Sequence, residues 1–127
     1  MTAKKLTASI VLFNTPRLQI ESVLKSVFDS ACVETLYIID NSPNDKWRIL
    51  EKRLEENGFT KIRYIHNENL GYGASHNLAM HEAIENESEY HVVLNPDIRF
   101  DTEVLPALTD FMDKNPDASY ALPKVVY

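Results

Sequence analysis

"TASIVLFNTPRLQIESVLKSVFDSACVETLYIID" occupies residues 7–40 and holds two apolar runs separated by one stretch of helical period. Residues 7–13 and 35–40 are short, rich in β-branched side chains and nearly unbroken by charge, as strands buried on both faces are. Between them, Ile20, Val23, Leu24, Val27, Phe28 and Ala31 recur at the spacing of a single helix face. Thr15 followed by Pro16 predicts an N-cap with proline at the first helical position. Strand, helix, strand within so short a span requires a crossover, and a crossover makes the two strands parallel.

The same alternation continues outward. "KIRYIH" (61–66) and "YHVVLN" (90–95) read as a third and fourth strand, and "SYALPKVVY" (119–127) as a less regular fifth. Ser42 and Pro43 predict the cap and first residue of a second helix with Trp47, Leu50 and Leu54 on one stripe and Gly58 ending it. A third helix is expected after Gly73, with Leu78, Ala79, Ala83 and Ile84 facing inward. A fourth carries Val104, Leu108, Phe111 and Met112, with Asp101 as its cap, Pro106 near its start and Asn115-Pro116 as its stop. The predicted class is α/β, a mainly parallel sheet with helices on both faces, in one domain over 1–127.

Composition bounds what such a domain can do. With 44% hydrophobic and 25% charged residues the chain can bury a core, so disorder is not expected. Its 13 Lys plus Arg against 19 Asp plus Glu give a net charge of -6, with the basic residues scattered, which argues against nucleic acid or an anionic membrane as partner. The one cysteine, Cys32, cannot form an internal disulfide, so a reducing, cytoplasmic setting is expected. The opening "MTAKKLTASIVLF" has an apolar run too short for a signal core or a span, which need about 7–15 and about 20 apolar residues.

In parallel sheets ligands bind beyond the carboxyl ends of the strands, so site residues are expected at those ends. Asn14 follows the first strand, Asp40 and Asn41 the second, "HNENLGYGASHN" (66–77) the third, and Asn95-Pro96-Asp97 the fourth. Asp40 ends a run of isoleucines, where a carboxylate needs donors. These would be a base amide and a ribose hydroxyl, or the backbone amides of the following turn. Gly71 and Gly73 predict close backbone approach and positive φ before a helix whose amides attract anions. Asp97 can bind Mg²⁺ or Mn²⁺ while phosphates and water complete the shell; Asn95-Pro96-Asp97 equally suits a type I turn, which would aim that carboxylate. The histidines His66, His76, His81 and His91 form no zinc pattern. His91 is expected to pack inside its strand, and only His76 to reach a phosphate.

Taken together, "ASIVLFN", "LYIIDNSPND", "NENLGYGASHNLAM", "YHVVLNPDIRF" and "ALPKVVY" resemble the N-terminal, nucleotide-binding half of an inverting family 2 glycosyltransferase of the GT-A fold, in the style of bacterial rhamnosyltransferase-like members. The resemblance implies a Rossmann-like donor domain. Asp40 would contact the base or ribose, and Asn14, Asn41, Asn69, Gly71, Gly73, His76, Asn77 and Asn95 would lie against a nucleotide-diphosphate sugar. Asp97 would be the last aspartate of an Asp-x-Asp motif whose first position is Asn95 here. It implies a Mg²⁺ or Mn²⁺ cofactor, a glycan or lipid-linked acceptor, cell-surface polysaccharide synthesis, and a catalytic base and acceptor site beyond Tyr127. This chain is therefore expected to be a truncated donor-binding part, inactive alone, with any membrane attachment in the part beyond. The alternatives are a non-catalytic nucleotide-binding module and a nucleotidyltransferase; the latter usually has a glycine-rich basic loop after strand one, which "NTPRLQ" lacks.

Overall fold

A computed structural model describes residues 5–55, 61–68 and 70–124. The elements run β1 (Leu6–Leu12), α1 (Arg17–Ser30), β2 (Val33–Asp40), a 3-10 turn (Lys46–Arg48) leading into α2 (Ile49–Glu55), β3 (Lys61–His66), α3 (Tyr72–Glu85), β4 (Tyr90–Leu94) and α4 (Val104–Lys114). The four strands form one parallel sheet in the order β3-β2-β1-β4. The chain steps outward from β1 to β2 and β3, then returns to pair β4 on the other side of β1. Strand order therefore reverses at β1, which is where open α/β sheets hold ligands.

Helices cover both faces, as expected. On one side, Ile20, Val23, Leu24 and Val27 of α1 pack with Leu105 of α4 and half-buried Trp47, Leu50 and Leu54 against Ala8, Ile10, Leu12, Leu36 and Ile38. On the other, Ala79 and Ala83 of α3 pack on Val11, Tyr37 and Ile39. The small alanines let α3 sit close to the sheet, so its first turn meets the strand ends. Among the described residues no helix is long and apolar enough to cross a membrane.

The helix boundaries differ from the sequence expectation in consistent ways. Thr15 does not cap α1: its hydroxyl accepts the Phe13 amide at 3.1 Å, and Pro16 takes the N-cap place. Nor does Ser42 cap the second helix, which begins later, because its hydroxyl accepts the Asn14 amide at 2.8 Å. α3 starts at Tyr72, so Gly73 lies within its first turn, and Ile84, expected inward, is 70% exposed. At α4, Asp101 contributes its carbonyl and not a side-chain cap, and Pro106 sits in the first turn, where its missing N–H costs nothing. α1 stops at Ser30, and Ala31 turns left-handed at φ 55°. Residues 119–124 form no strand, and both Gly58 and residues 125–127 lie outside the described residues.

Candidate functional site

Strand register brings the polar ends to one rim. Leu12, Asp40 and His66 are successive partners across β1, β2 and β3, and Ile10 pairs with Leu94, so Asn95 emerges beside the end of β1. Positions 40 and 97 thus follow the two strands that flank β1, on the same rim of the sheet.

At the centre of that rim, the loop Asp40-Asn41-Ser42 ties three strands and a helix together. The Asn41 amide donates to the Leu12 carbonyl at 2.8 Å and the Asn67 amide to the Asp40 carbonyl at 2.9 Å. His66 Nε2 meets the Ser42 carbonyl at 2.8 Å. Asp40 is 0% exposed. One of its carboxylate oxygens accepts the Ser42 amide at 3.0 Å, the Asx turn that the sequence left open, and the other accepts the Tyr64 hydroxyl at 2.6 Å. Burial and the adjoining carboxylate push the Tyr64 hydroxyl well above its ordinary pKa, so it stays a donor at all working pH values. Asp40 therefore presents no exposed surface to a base or ribose in this conformation, its carboxylate being held by Ser42 and Tyr64.

Asn41 is presented by this loop. Its side-chain amide donates to Ser75 Oγ of α3 at 2.8 Å, and Ser75 Oγ in turn bonds the Gly71 carbonyl at 2.8 Å. Ser75→Ala, which strands that buried amide, is expected to cost about 1–2 kcal/mol in urea denaturation, while conservative Ser75→Thr is expected to keep most of the stability.

A groove of about 440 Å³ opens above these ends, lined by Val11, Phe13, Asn41, Glu68, Leu70, Gly71 and Tyr72. Phe13 is 65% exposed and Tyr72 52% exposed, which is unusual for large rings beside a core. Of the expected site residues, Asn41 and Gly71 line it. Asn14 stands at φ 47° beside Phe13, its amide held by Ser42. Asn95 accepts the Tyr72 hydroxyl through Oδ1, linking the end of β4 to the first turn of α3. The turn 95–98 closes with the Ile98 amide on the Asn95 carbonyl at 3.4 Å and leaves Asp97 exposed at the rim, outside the groove lining. Asn77 is exposed along α3, and Asn69 lies outside the described residues.

Two expectations are overturned. His76 does not reach a phosphate: it is 3% exposed, and its Nδ1 meets Ser9 Oγ of β1 at 2.7 Å. It points into the sheet because, three and seven residues before Ala79 and Ala83, it shares their inward side of α3. Neither glycine needs positive φ, since Gly71 is extended at φ -71° and Gly73 is helical; a Cβ at either would meet nothing within 4 Å. Missing from the sequence reading were Phe13, Glu68 and Leu70; Tyr72 fell within the 71–77 stretch that the resemblance placed against the nucleotide, without being singled out. For Tyr72 a signal existed, an aromatic residue set between two glycines at a helix start.

His91, expected to pack, does so: Nδ1 lies 2.8 Å from Thr7 Oγ1 and Nε2 2.8 Å from Ser9 Oγ. Burial, aided by neighbouring His76, lowers its pKa to about 4, and burial also lowers that of His76. Both rings are thus neutral in the fold but take protons when unfolded. Their contribution is present above about pH 6.5 and declines below it, for His91 down to about pH 4, with a slope of at most about 1.4 kcal/mol per pH unit for each ring. Urea midpoints measured from pH 7 down to 4.5 are expected to fall, and to fall less in His91→Gln.

Among the described residues, the groove's charged lining is a single carboxylate, Glu68, with no Lys or Arg. Among the described residues no cluster of three metal-ligating side chains exists.

Residues 8–126 match the family model described as Glycosyl transferase family 2. The chain belongs to that family. No curated protein matches it significantly. Among solved structures, this family 2 chain is similar to S. aureus TarS, at 20% identity and a TM-score of 0.67 over 87% of this chain and 20% of that one. It is also similar to S. aureus TarS 1-349, at 18% identity and a TM-score of 0.69 over 94% of this chain and 38% of that one. The same protein in complex with UDP-GlcNAc gives the same identity and TM-score. At these identities the likeness establishes the fold. The family 2 chain spans well under half the length of these structures.

Proposed function

We propose that the chain binds the nucleotide-diphosphate sugar donor of an inverting glycosyl transfer to a glycan or lipid-linked acceptor, in cell-surface polysaccharide synthesis. The observation that carries this reading is the groove at the carboxyl ends of β1 and β2, walled by Phe13 and Tyr72 and floored by Asn41. Exposed aromatic rings flanking a fixed amide suit a planar base, and family membership makes a sugar nucleotide the reactant to test first. The similar S. aureus protein was solved with UDP-GlcNAc and with UDP, which favours uridine diphosphate as the first ligand to try, ahead of the thymidine diphosphate suggested by a rhamnosyltransferase-like reading.

In this reading, Asn41 hydrogen-bonds the base, held from behind by Ser75, while Asp40 and Tyr64 keep the loop rigid without touching the ligand. The first-turn amides of α3 face the groove with the partial positive charge of a helix start. Asp97 is the residue that would hold Mg²⁺ or Mn²⁺, whose contribution would be neutralisation of the departing diphosphate. Asn95 then has a structural part, anchoring Tyr72.

Calorimetric titration of UDP and dTDP, with and without Mn²⁺, tests the proposal. Binding that requires Mn²⁺ and favours one base is expected. No binding of either diphosphate with Mn²⁺ present, or equal binding of inorganic diphosphate, overturns it.

A further inference from the structure

We propose that His76 is a positioning residue for the groove: bridged through the Ser9 hydroxyl to His91, it holds Tyr72 in place only while it is neutral, so ligand affinity falls on acidification. The proposal rests on the reading of this groove as a nucleotide site.

Five polar side chains form one continuous line beneath α3. His76 Nδ1 lies 2.7 Å from Ser9 Oγ, which lies 2.8 Å from His91 Nε2; His91 Nδ1 lies 2.8 Å from Thr7 Oγ1. The line continues from Thr7 to Ser88 Oγ at 2.9 Å, at the half-buried start of β4. At its other end the Tyr72 ring meets the His76 ring edge-on, centroids 4.6 Å apart at 78°. Tyr72 has two supports, this ring contact and its hydroxyl bond to Asn95, and it walls the groove.

The proton accounting makes the line directional. Ser9 has one hydroxyl hydrogen and two imidazole partners, so with both rings neutral it donates to one and accepts from the other. A proton on His91 is opposed by burial and by the neighbouring His76, yet both its N–H groups would still meet hydroxyl oxygens. Cationic His76 lacks even that. Its Nδ1–H can bond Ser9, but its Nε2 is buried with no partner among the described residues, and a charged N–H there has no acceptor. The ionisable groups facing the pair are each other, Tyr72 from α3 and Tyr37 of β2, whose ring lies 6.2 Å from that of His91. The remaining neighbours on β1, Thr7, Ser9 and Val11, carry no charge. Nothing anionic offsets a proton on His76, so protonation favours conformers in which the ring leaves its slot, and Tyr72 loses the surface it rests on.

Two measurements test this. In the wild-type protein, ring resonances of His76 and Tyr72 are followed by NMR from about pH 8 to pH 4.5, a span that brackets histidine titration. Tyr72 is expected to shift with the midpoint of His76; Tyr72 resonances that ignore that titration overturn the proposal, whether or not any nucleotide binds. Second, UDP affinity with Mn²⁺ is measured at both ends of the range for wild type and His76→Asn, which keeps an amide near the Nδ1 position and cannot titrate. Wild type is expected to lose about fivefold more affinity on acidification than the variant, and parallel profiles overturn the proposal. Should UDP fail to bind any form while Tyr72 still tracks His76, the nucleotide reading fails and the positioning role stands. Should His76→Asn not fold, the wild-type NMR titration decides alone.

Discussion

Asp97→Ala is expected to weaken UDP binding in the presence of Mn²⁺ on the order of 100-fold, the scale on which metal sites respond to losing supporting ligands. In the absence of metal it should leave the residual affinity unchanged. The reason lies in what the groove lacks. Its walls supply aromatic surface, an amide and one carboxylate, and no side chain that would offset the charge of a diphosphate. Asp97 is exposed on a turn closed between Asn95 and Ile98, and Pro96 fixes the backbone within that turn, so the carboxylate is aimed without being buried. Its removal should cost little stability, which separates loss of a ligand from loss of the fold. A substituted protein that melts like wild type and still shows metal-dependent affinity would rule out Asp97 as the metal-holding residue.

The second large effect concerns stability. Tyr64→Phe is expected to destabilise the fold by about 2–3 kcal/mol, the upper range for a hydrogen bond to a charged group, read as a fall in the urea midpoint with unchanged slope. The hydroxyl that it deletes is the donor on one oxygen of a carboxylate with no access to water. Removing both partners should be milder than removing one: Tyr64→Phe combined with Asp40→Asn is expected to recover part of the loss, because no charge is then left buried without a donor. If Tyr64→Phe is neutral, Asp40 is not held as a buried anion and its supporting role is withdrawn.

The fold was legible because its signals are redundant. β1 and β2 are nearly continuous apolar runs, β3 alternates, and α1 shows five of its six face residues buried or half-buried, so no single residue had to be read correctly. Helix starts were misread where Thr15 and Ser42, good caps by type, bond strand-end amides instead. At the site, residue type and position sufficed for Asn41 and for the rim location of Asp97. They did not suffice for Asp40 or His76, since pointing inward or outward depends on Tyr64 and Ser9, partners 24 and 67 residues away. Phe13 carries no site signal of its own, being the last residue of an apolar run, yet its ring is bare.

The outward-then-return strand order also sets a timetable. β2 can join β1, and β3 can join β2, after short crossovers, but the ladder between β1 and β4 pairs Leu6 with Tyr90, closing a far longer loop. Contacts of such separation form late and slowly. During synthesis, one flank of the first strand must wait for most of the polypeptide to emerge, and the groove wall that depends on Asn95 is among the last parts to assemble.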